Sequence, residues 1–249
     1  MPGERVLIIG GTRDGRLLAD ALIAAGFEPV TSMAGVTEAP LLPAGAVRIG
    51  SFGGAEGLAA YVGEANIRAI IDAAHPFALR ISSNSARAAA IAGVPRLHFD
   101  RPPWSPGPRD RWTLVKDAAE AAARLMPESR VLLTIGARGM AEFFRRPDLT
   151  GIVRTIERPA TAIPGGWRLL QARPPFALED EIALMTAGSV TVLVTKNSGG
   201  PGDAKLAAAR KLGLPVVMIA RPEKPEGARA SSIEEAVAWL RRAVGKSEA

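Results

Sequence analysis

Four short stretches carry the residues best able to do chemistry, each where an apolar run breaks off. The first is "GGTRDGR" at 10–16, directly after "RVLIIG" (5–10). Glycines between a strand and a helix let the backbone approach a phosphate, and the helix N-terminus attracts the anion. Gly10, Gly11 and Gly15 are the candidates for that approach, with Thr12 beside them. Arg13 and Arg16 add guanidinium forks suited to phosphate oxygens. The same glycines also suit a tight turn that simply needs positive φ. The usual G-x-G-x-x-G spacing is absent.

An NAD site places Asp or Glu roughly 20 residues beyond the glycines, at the end of the second strand. Here that strand, "EPVTSM" (28–33), offers Thr31 and Ser32 and no carboxylate at its end. Hydroxyls with Arg13 and Arg16 fit a 2′-phosphate better than a bare ribose, so a bound dinucleotide is expected to be NADPH.

The second stretch is His75-Pro76-Phe77, after "AIIDAA" (69–74). It puts one of only two histidines at a strand end and leads into a helix over 77–92. Pro76 suits a first helical turn and biases His75 towards extended backbone. A helix N-terminus disfavours imidazolium, which makes His75 an orienting donor rather than a proton reservoir. The alternative is a capping residue with a satisfied ring. Arg80, Asn84 and Arg87 share one face of the predicted helix, either towards an anionic ligand or towards water. Phe77 serves as core or as a flat wall for an aromatic ligand. The other histidine, His98, lies inside a strand and reads as structural.

The remaining stretches are "GAR" (136–138), contributing Gly136 and Arg138, and "TKNSGG" (195–200). In the latter, Lys196 is a point charge, and amides around Asn197, Ser198, Gly199 and Gly200 could form an anion-holding nest. Both stretches are read as cofactor-binding, competing with the first turn for the dinucleotide's pyrophosphate. The structural alternative is a helix start capped by Asp203.

The elements that must position these turns are legible from alternation. Short β-branched runs at 5–10, 28–33, 46–51, 69–74 and 95–99 alternate with helical segments at 14–26, 54–65 and 77–92. The alternation restarts with strands near 112–115, 130–135, 151–157, 168–172, 190–195 and 215–220. Helices are expected at 117–126, 139–145, 177–187, 203–212 and 232–243, the last capped by Ser231 or Ser232. "RVLIIGGTR" (5–13) and "RVLLTIGAR" (130–138) align without a gap. The expectation is an α/β fold of two Rossmann-like, doubly wound parallel-sheet domains flanking a central cleft. Residues 1–100 form the first domain, the Pro-rich "RPPWSPGPRDR" (101–111) a linker, and 112–249 the second.

Composition narrows the function further. With no cysteine, disulfides, thiolate catalysis and Cys-ligated metal are excluded, and no metal site is expected. No apolar stretch approaches the length of a membrane span and no export signal is read at the start, so a cytoplasmic protein is expected. Of 31 basic residues six are lysine, leaving 31 − 6 = 25 arginines and a net charge of +6. The arginines are scattered and aromatics make up only 5%, which argues against nucleic acid and for a small polyanionic ligand.

Taken together, "GGTRDGR", "DAAHPFA" (72–78) and "TKNSGG" resemble the precorrin-6A reductase family of cobalamin biosynthesis, in the family's order and over nearly the whole chain. The resemblance implies two Rossmann-like domains and NADPH as the hydride donor, reducing one double bond of precorrin-6A to give precorrin-6B. It also implies a polycarboxylate tetrapyrrole as partner, which a face of Arg80, Asn84 and Arg87 beside His75, Pro76 and Phe77 would suit. Asp14 stands where the family often has Glu, and Ala74 where Thr is frequent. Two other readings compete: a cofactor-free tetrapyrrole enzyme of the uroporphyrinogen-III-synthase type, and a non-catalytic NADP-binding regulatory module. Oligomeric state is unconstrained.

Overall fold

Successive residues of a strand face opposite sides of a sheet, and the first strand is apolar at both. A computed structural model describes residues 3–35 and 41–245. Its opening strand β1 (Arg5–Ile9) turns Val6 and Ile8 to one layer of helices and Leu7 and Ile9 to the other. Around it come α1 (Arg13–Ala24), β2 (Glu28–Met33), β3 (Ala46–Ile49), α2 (Ala55–Glu64), β4 (Ile67–Asp72), α3 (Leu79–Ala92) and β5 (Arg96–Phe99). The second run of elements is β6 (Trp112–Val115), α4 (Ala118–Ala123), β7 (Arg130–Thr134), α5 (Ala141–Phe144), β8 (Thr150–Thr155) and β9 (Trp167–Gln171). It continues with α6 (Leu178–Ala187), β10 (Val192–Lys196), α7 (Ala204–Lys211) and β11 (Val216–Ile219). The chain then adds β12 (Ala228–Ala230) and α8 (Ile233–Ala243).

Two six-stranded, all-parallel sheets result, ordered β12-β5-β4-β1-β2-β3 and β6-β11-β10-β7-β8-β9. The chain divides into two units, Met1–Pro102 with Pro222–Ala249, and Pro103–Arg221. This differs from the division expected at 112–249. Beyond Pro222 the chain returns to the first unit, where Ala228, Arg229 and Ala230 pair with Leu97, His98 and Phe99 of β5. The strand "ARA" has no apolar run to announce it. α8 follows, capped by Ser232, whose hydroxyl accepts from the Glu235 amide at 3.2 Å. Its Ala236 and Leu240 close over Val6, Ile8, Ala69 and Ile71, while α2 and α3 cover the opposite face through Leu58, Val62, Ala88 and Ala89.

The expected linker is pinned rather than loose. Arg101 pairs with Asp14 at 2.7 Å in the first unit. In the second, Asp110 takes a bidentate pair from Arg210 at 2.9 and 2.8 Å. No helix among the described residues is long and apolar enough to cross a membrane.

Candidate active site

A parallel sheet opens a crevice at its strands' carboxyl ends, where consecutive connections leave in opposite directions. In the first unit the chain runs from β1 outward through β2 and β3, then returns to add β4 on the other side of β1. The switch point therefore lies between β1 and β4, and its lips are Gly10–Arg13 and Ala73–Phe77.

The three glycines of the first turn do different work. Gly10 is glycine because a Cβ there would lie 2.5 Å from Thr31 Cγ2, and Gly15 because one would lie 3.2 Å from the Gly10 Cα. Both let the first turn of α1 pack closely on the strand ends. Gly11 alone has positive φ, +92°, and a Cβ there would meet nothing within 4 Å. It faces open space at the head of a 12-residue helix. Thr12 caps α1, accepting from the Gly15 amide at 3.1 Å, and donates to the Ala73 carbonyl at 3.0 Å. Arg13 is exposed and Arg16 half-buried. Ser32 is buried, its carbonyl accepting from the Gly10 amide at 2.9 Å. Asp14, in the first turn of α1, has its charge met by Arg101.

On the other lip β4 stops at Asp72, and α3 does not begin until Leu79. His75 is thus in a turn rather than at a helix start, and Pro76 lies before α3 instead of in its first turn. The His75 carbonyl accepts from the Ala78 amide at 2.7 Å, and Nδ1 accepts from the Phe77 amide at 3.2 Å. Nδ1 as acceptor leaves the hydrogen of a neutral ring on Nε2, so the exposed imidazole is a donor. Its ring lies 5.9 Å from that of the half-buried Phe77. On α3, Arg80 is exposed and Asn84 half-buried. Arg87 pairs with Glu56 of α2 at 2.7 Å, both side chains being exposed, which ties two helices together.

The second unit repeats the plan with different chemistry. Its switch point lies between β7 and β10. Gly136 matches Gly11 with φ +74°. Beyond it, however, α5 has only four residues and no side-chain cap, so no long helix delivers a dipole to this turn. Charge comes from side chains instead. Lys196 Nζ donates to the Ile135 carbonyl at 2.6 Å. Burial, together with the nearby Arg138 charge, holds its ammonium below the usual lysine range. Arg138 itself is exposed.

The "TKNSGG" turn is engaged by neighbours the sequence reading missed. Asn197 accepts from the Trp104 amide at 2.8 Å and donates to the Trp104 carbonyl at 2.9 Å. The indole Nε1 of Trp104 donates to the Gly200 carbonyl at 2.8 Å. Arg221 donates to the carbonyls of Asn197 and Ser198 at 2.8 and 2.9 Å. The amide of Asn197 is therefore a clasp on the chain following Pro103 rather than a group aimed at a ligand. Gly199 and Gly200 have φ of +65° and +75°, two left-handed residues in succession rather than the alternating pair expected of a nest. Asp203 makes no side-chain cap on α7. A lone Trp amid prolines was the available signal for the clasp. Nothing in the local pattern distinguished Arg221. Among the described residues no group of three or more His, Asp or Glu side chains is placed to hold a metal ion.

Residues 5–241 match the family model described as precorrin-6x reductase CbiJ/CobK. The chain belongs to the precorrin-6x reductase family. It is 47% identical to a precorrin-6A reductase of Rhodococcus erythropolis, over 95% of this chain and 97% of that one. It is 43% identical to one from Mycobacterium tuberculosis, over 95% and 97%. A solved CobK precorrin-6A reductase matches with a TM-score of 0.90 at 40% identity, covering 96% of both chains. Family membership makes the chain a precorrin reductase, an oxidoreductase of cobalamin biosynthesis. This sets aside the cofactor-free synthase reading and the non-catalytic one.

Proposed function

We propose that this chain reduces precorrin-6A to precorrin-6B with NADPH, binding the cofactor's phosphates at the first switch point. The observation that carries the reading is the Gly11–Arg13 turn, open above the N-terminus of α1 and flanked by arginines, with no carboxylate closing β2. That turn fits a dinucleotide: the backbone at Gly11 is unobstructed, and the helix presents its first amides. Arg13 and Arg16 suit a 2′-phosphate. Asp14, a carboxylate in the first turn of α1, would repel phosphate, and its pairing with Arg101 reduces that repulsion.

The reaction adds a hydride and a proton across one double bond, and bound NADPH supplies the hydride. The chain's own groups bind and orient. His75, a donor through Nε2, orients the macrocycle or the nicotinamide. Lys196 and Arg138 suit substrate carboxylates, because a partly desolvated ammonium beside a guanidinium gains most from an arriving anion. Arg80 and Asn84 remain candidates for the same task, as do the amides of Ser198, Gly199 and Gly200. No side chain is assigned to deliver the proton; a protonated ring nitrogen of the substrate can do part of that work. We further propose the metal-free substrate and a cytoplasmic setting. Relatives named precorrin-6A reductase reach 47% identity, whereas those named cobalt-precorrin-6A reductase reach 32%.

Fluorescence titration with NADPH and NADH, on the wild type and Arg13→Ala, tests the reading. Micromolar NADPH binding that weakens about 10- to 100-fold in the variant, with NADH unaffected, supports it; that range follows from one charge-assisted contact of about 1.5–3 kcal/mol. Equal affinity for NADH and NADPH in the wild type overturns the NADPH assignment.

A further inference from the structure

Asp72 is fully buried at the end of β4, yet nothing in its position as the last strand residue requires a carboxylate. Its two oxygens are used differently. Oδ1 accepts from the Ala74 amide at 3.2 Å, and Oδ2 accepts from Arg96 Nη2 at 2.8 Å. Arg96, on β5, also reaches α3, donating from Nε to the Ser85 hydroxyl at 3.0 Å and from Nη2 to the Ser82 carbonyl at 3.4 Å. His98 Nδ1 stands 3.4 Å from the same Oδ2, and its Nε2 stands 3.7 Å from Asp100. One side chain thus joins the backbone just before His75, the neighbouring strand and, through Arg96, the helix beyond the turn.

We propose that Asp72 is a positioning residue of the reductase, fixing the Ala73–His75 backbone that forms the second lip of the cofactor site. Ala73 is the residue whose carbonyl Thr12 holds, so a shift at Asp72 reaches both lips. A simpler strand end would satisfy the Ala74 amide with water. Burying a carboxylate there is costly unless it is paired and hydrogen-bonded, and Arg96 and His98 are arranged to pair it. The inference rests on the reading that the first switch point binds NADPH.

The test compares Asp72→Ala, Asp72→Asn and Leu22→Ala by NADPH titration and thermal melting. Leu22 is a fully buried core residue near the C-terminal end of α1, one turn from Ala25, whereas the glycine turn meets the helix at its N-terminal end. Asp72→Ala is expected to weaken NADPH binding at least tenfold. Asp72→Asn, whose amide oxygen can still accept from Ala74, is expected to lower Tm as much while keeping affinity within threefold of wild type. Leu22→Ala is expected to lower Tm and leave affinity within twofold. A purely structural role would instead make affinity follow Tm across all three, and that result overturns the proposal. So does wild-type affinity in Asp72→Ala. If Asp72→Ala does not fold, Arg96→Lys decides: an affinity loss of threefold or more is expected, and none overturns the proposal. A wild type that binds no NADPH overturns the cofactor reading itself, and this inference with it.

Discussion

Thr12 and Ala73 stand on opposite lips of the first switch point, and the threonine hydroxyl donates across it to the alanine carbonyl at 3.0 Å. Lys196 does the same at the second, crossing to the Ile135 carbonyl at 2.6 Å. Each sheet is stitched at the place where its connections diverge, once by a neutral group and once by a cation.

Thr12→Ala removes both the cap on α1 and the bridge to β4. The expected cost is about 1–2 kcal/mol in chemical denaturation, with weaker NADPH binding. Thr12→Ser keeps the hydroxyl and is expected to retain most of both. Equal losses in the two variants would show that the methyl group, not the bridge, matters.

Lys196→Met removes the second stitch and its charge while keeping a side chain of similar length. The KM for the tetrapyrrole is expected to rise about tenfold or more, the size of one charge-assisted contact, with NADPH affinity unchanged. A loss confined to NADPH would move the cofactor's phosphate to the second unit.

Asn197→Ala strips partners from both the amide and the carbonyl of Trp104. The expected destabilisation is about 1–3 kcal/mol, read by urea denaturation. Trp104→Phe loses the indole bond to Gly200 while keeping an aromatic ring beneath the Lys205 ammonium, which lies 4.5 Å from the Trp104 ring, and is expected to cost about 1 kcal/mol. NADPH affinity should hold in both, because these residues clasp one another rather than a ligand.

The buried charges around His98 make stability depend on pH at both ends. Burial works against the imidazolium, but Asp100 and then Asp72 outweigh it and raise the His98 pKa above 6.5. A raised folded-state pKa means stabilisation that is full below about pH 6.5 and lost as pH climbs through the folded value. Burial would raise the Asp72 carboxyl, yet His98, 3.4 Å away, and the Lys224 charge hold it at about 2. That contribution is present above the ordinary value of 3.8 and lost as pH falls towards 2. The cluster therefore stabilises most between about pH 4 and 6.5. In Tm measured from pH 4 to 9, His98→Gln is expected to flatten the decline on the alkaline side. An identical slope in the variant would remove His98 as its source.

The sequence revealed the sheets and turns because their signals are local. Glycine after an apolar run marks a strand end, and "RVLIIGGTR" repeated as "RVLLTIGAR" marks two such ends with matching positive φ at Gly11 and Gly136. What was not legible depends on partners distant in sequence. An amide following a strand reads equally well as a ligand group or as a clasp, and only Trp104, 93 residues away, decides it for Asn197. Arg87 faces outward on its helix as a ligand-binding arginine would, and nothing local announces its ion pair with Glu56 on another helix. The three-residue β12 is recognisable only by the strand it joins.

That late strand has a bearing on how the protein comes into being. Domains generally fold as units, N-terminal first, as the chain is made. Here the unit that begins first is finished last. Residues Pro103–Arg221 form a contiguous body that can close as soon as it emerges. The first sheet must meanwhile wait with the face of Ala69, Ile71 and Leu97 only partly covered, by α1 residues such as Leu18 and Leu22, until α8 is synthesised. During translation it is the older half that stays exposed to chaperones, proteases and aggregation.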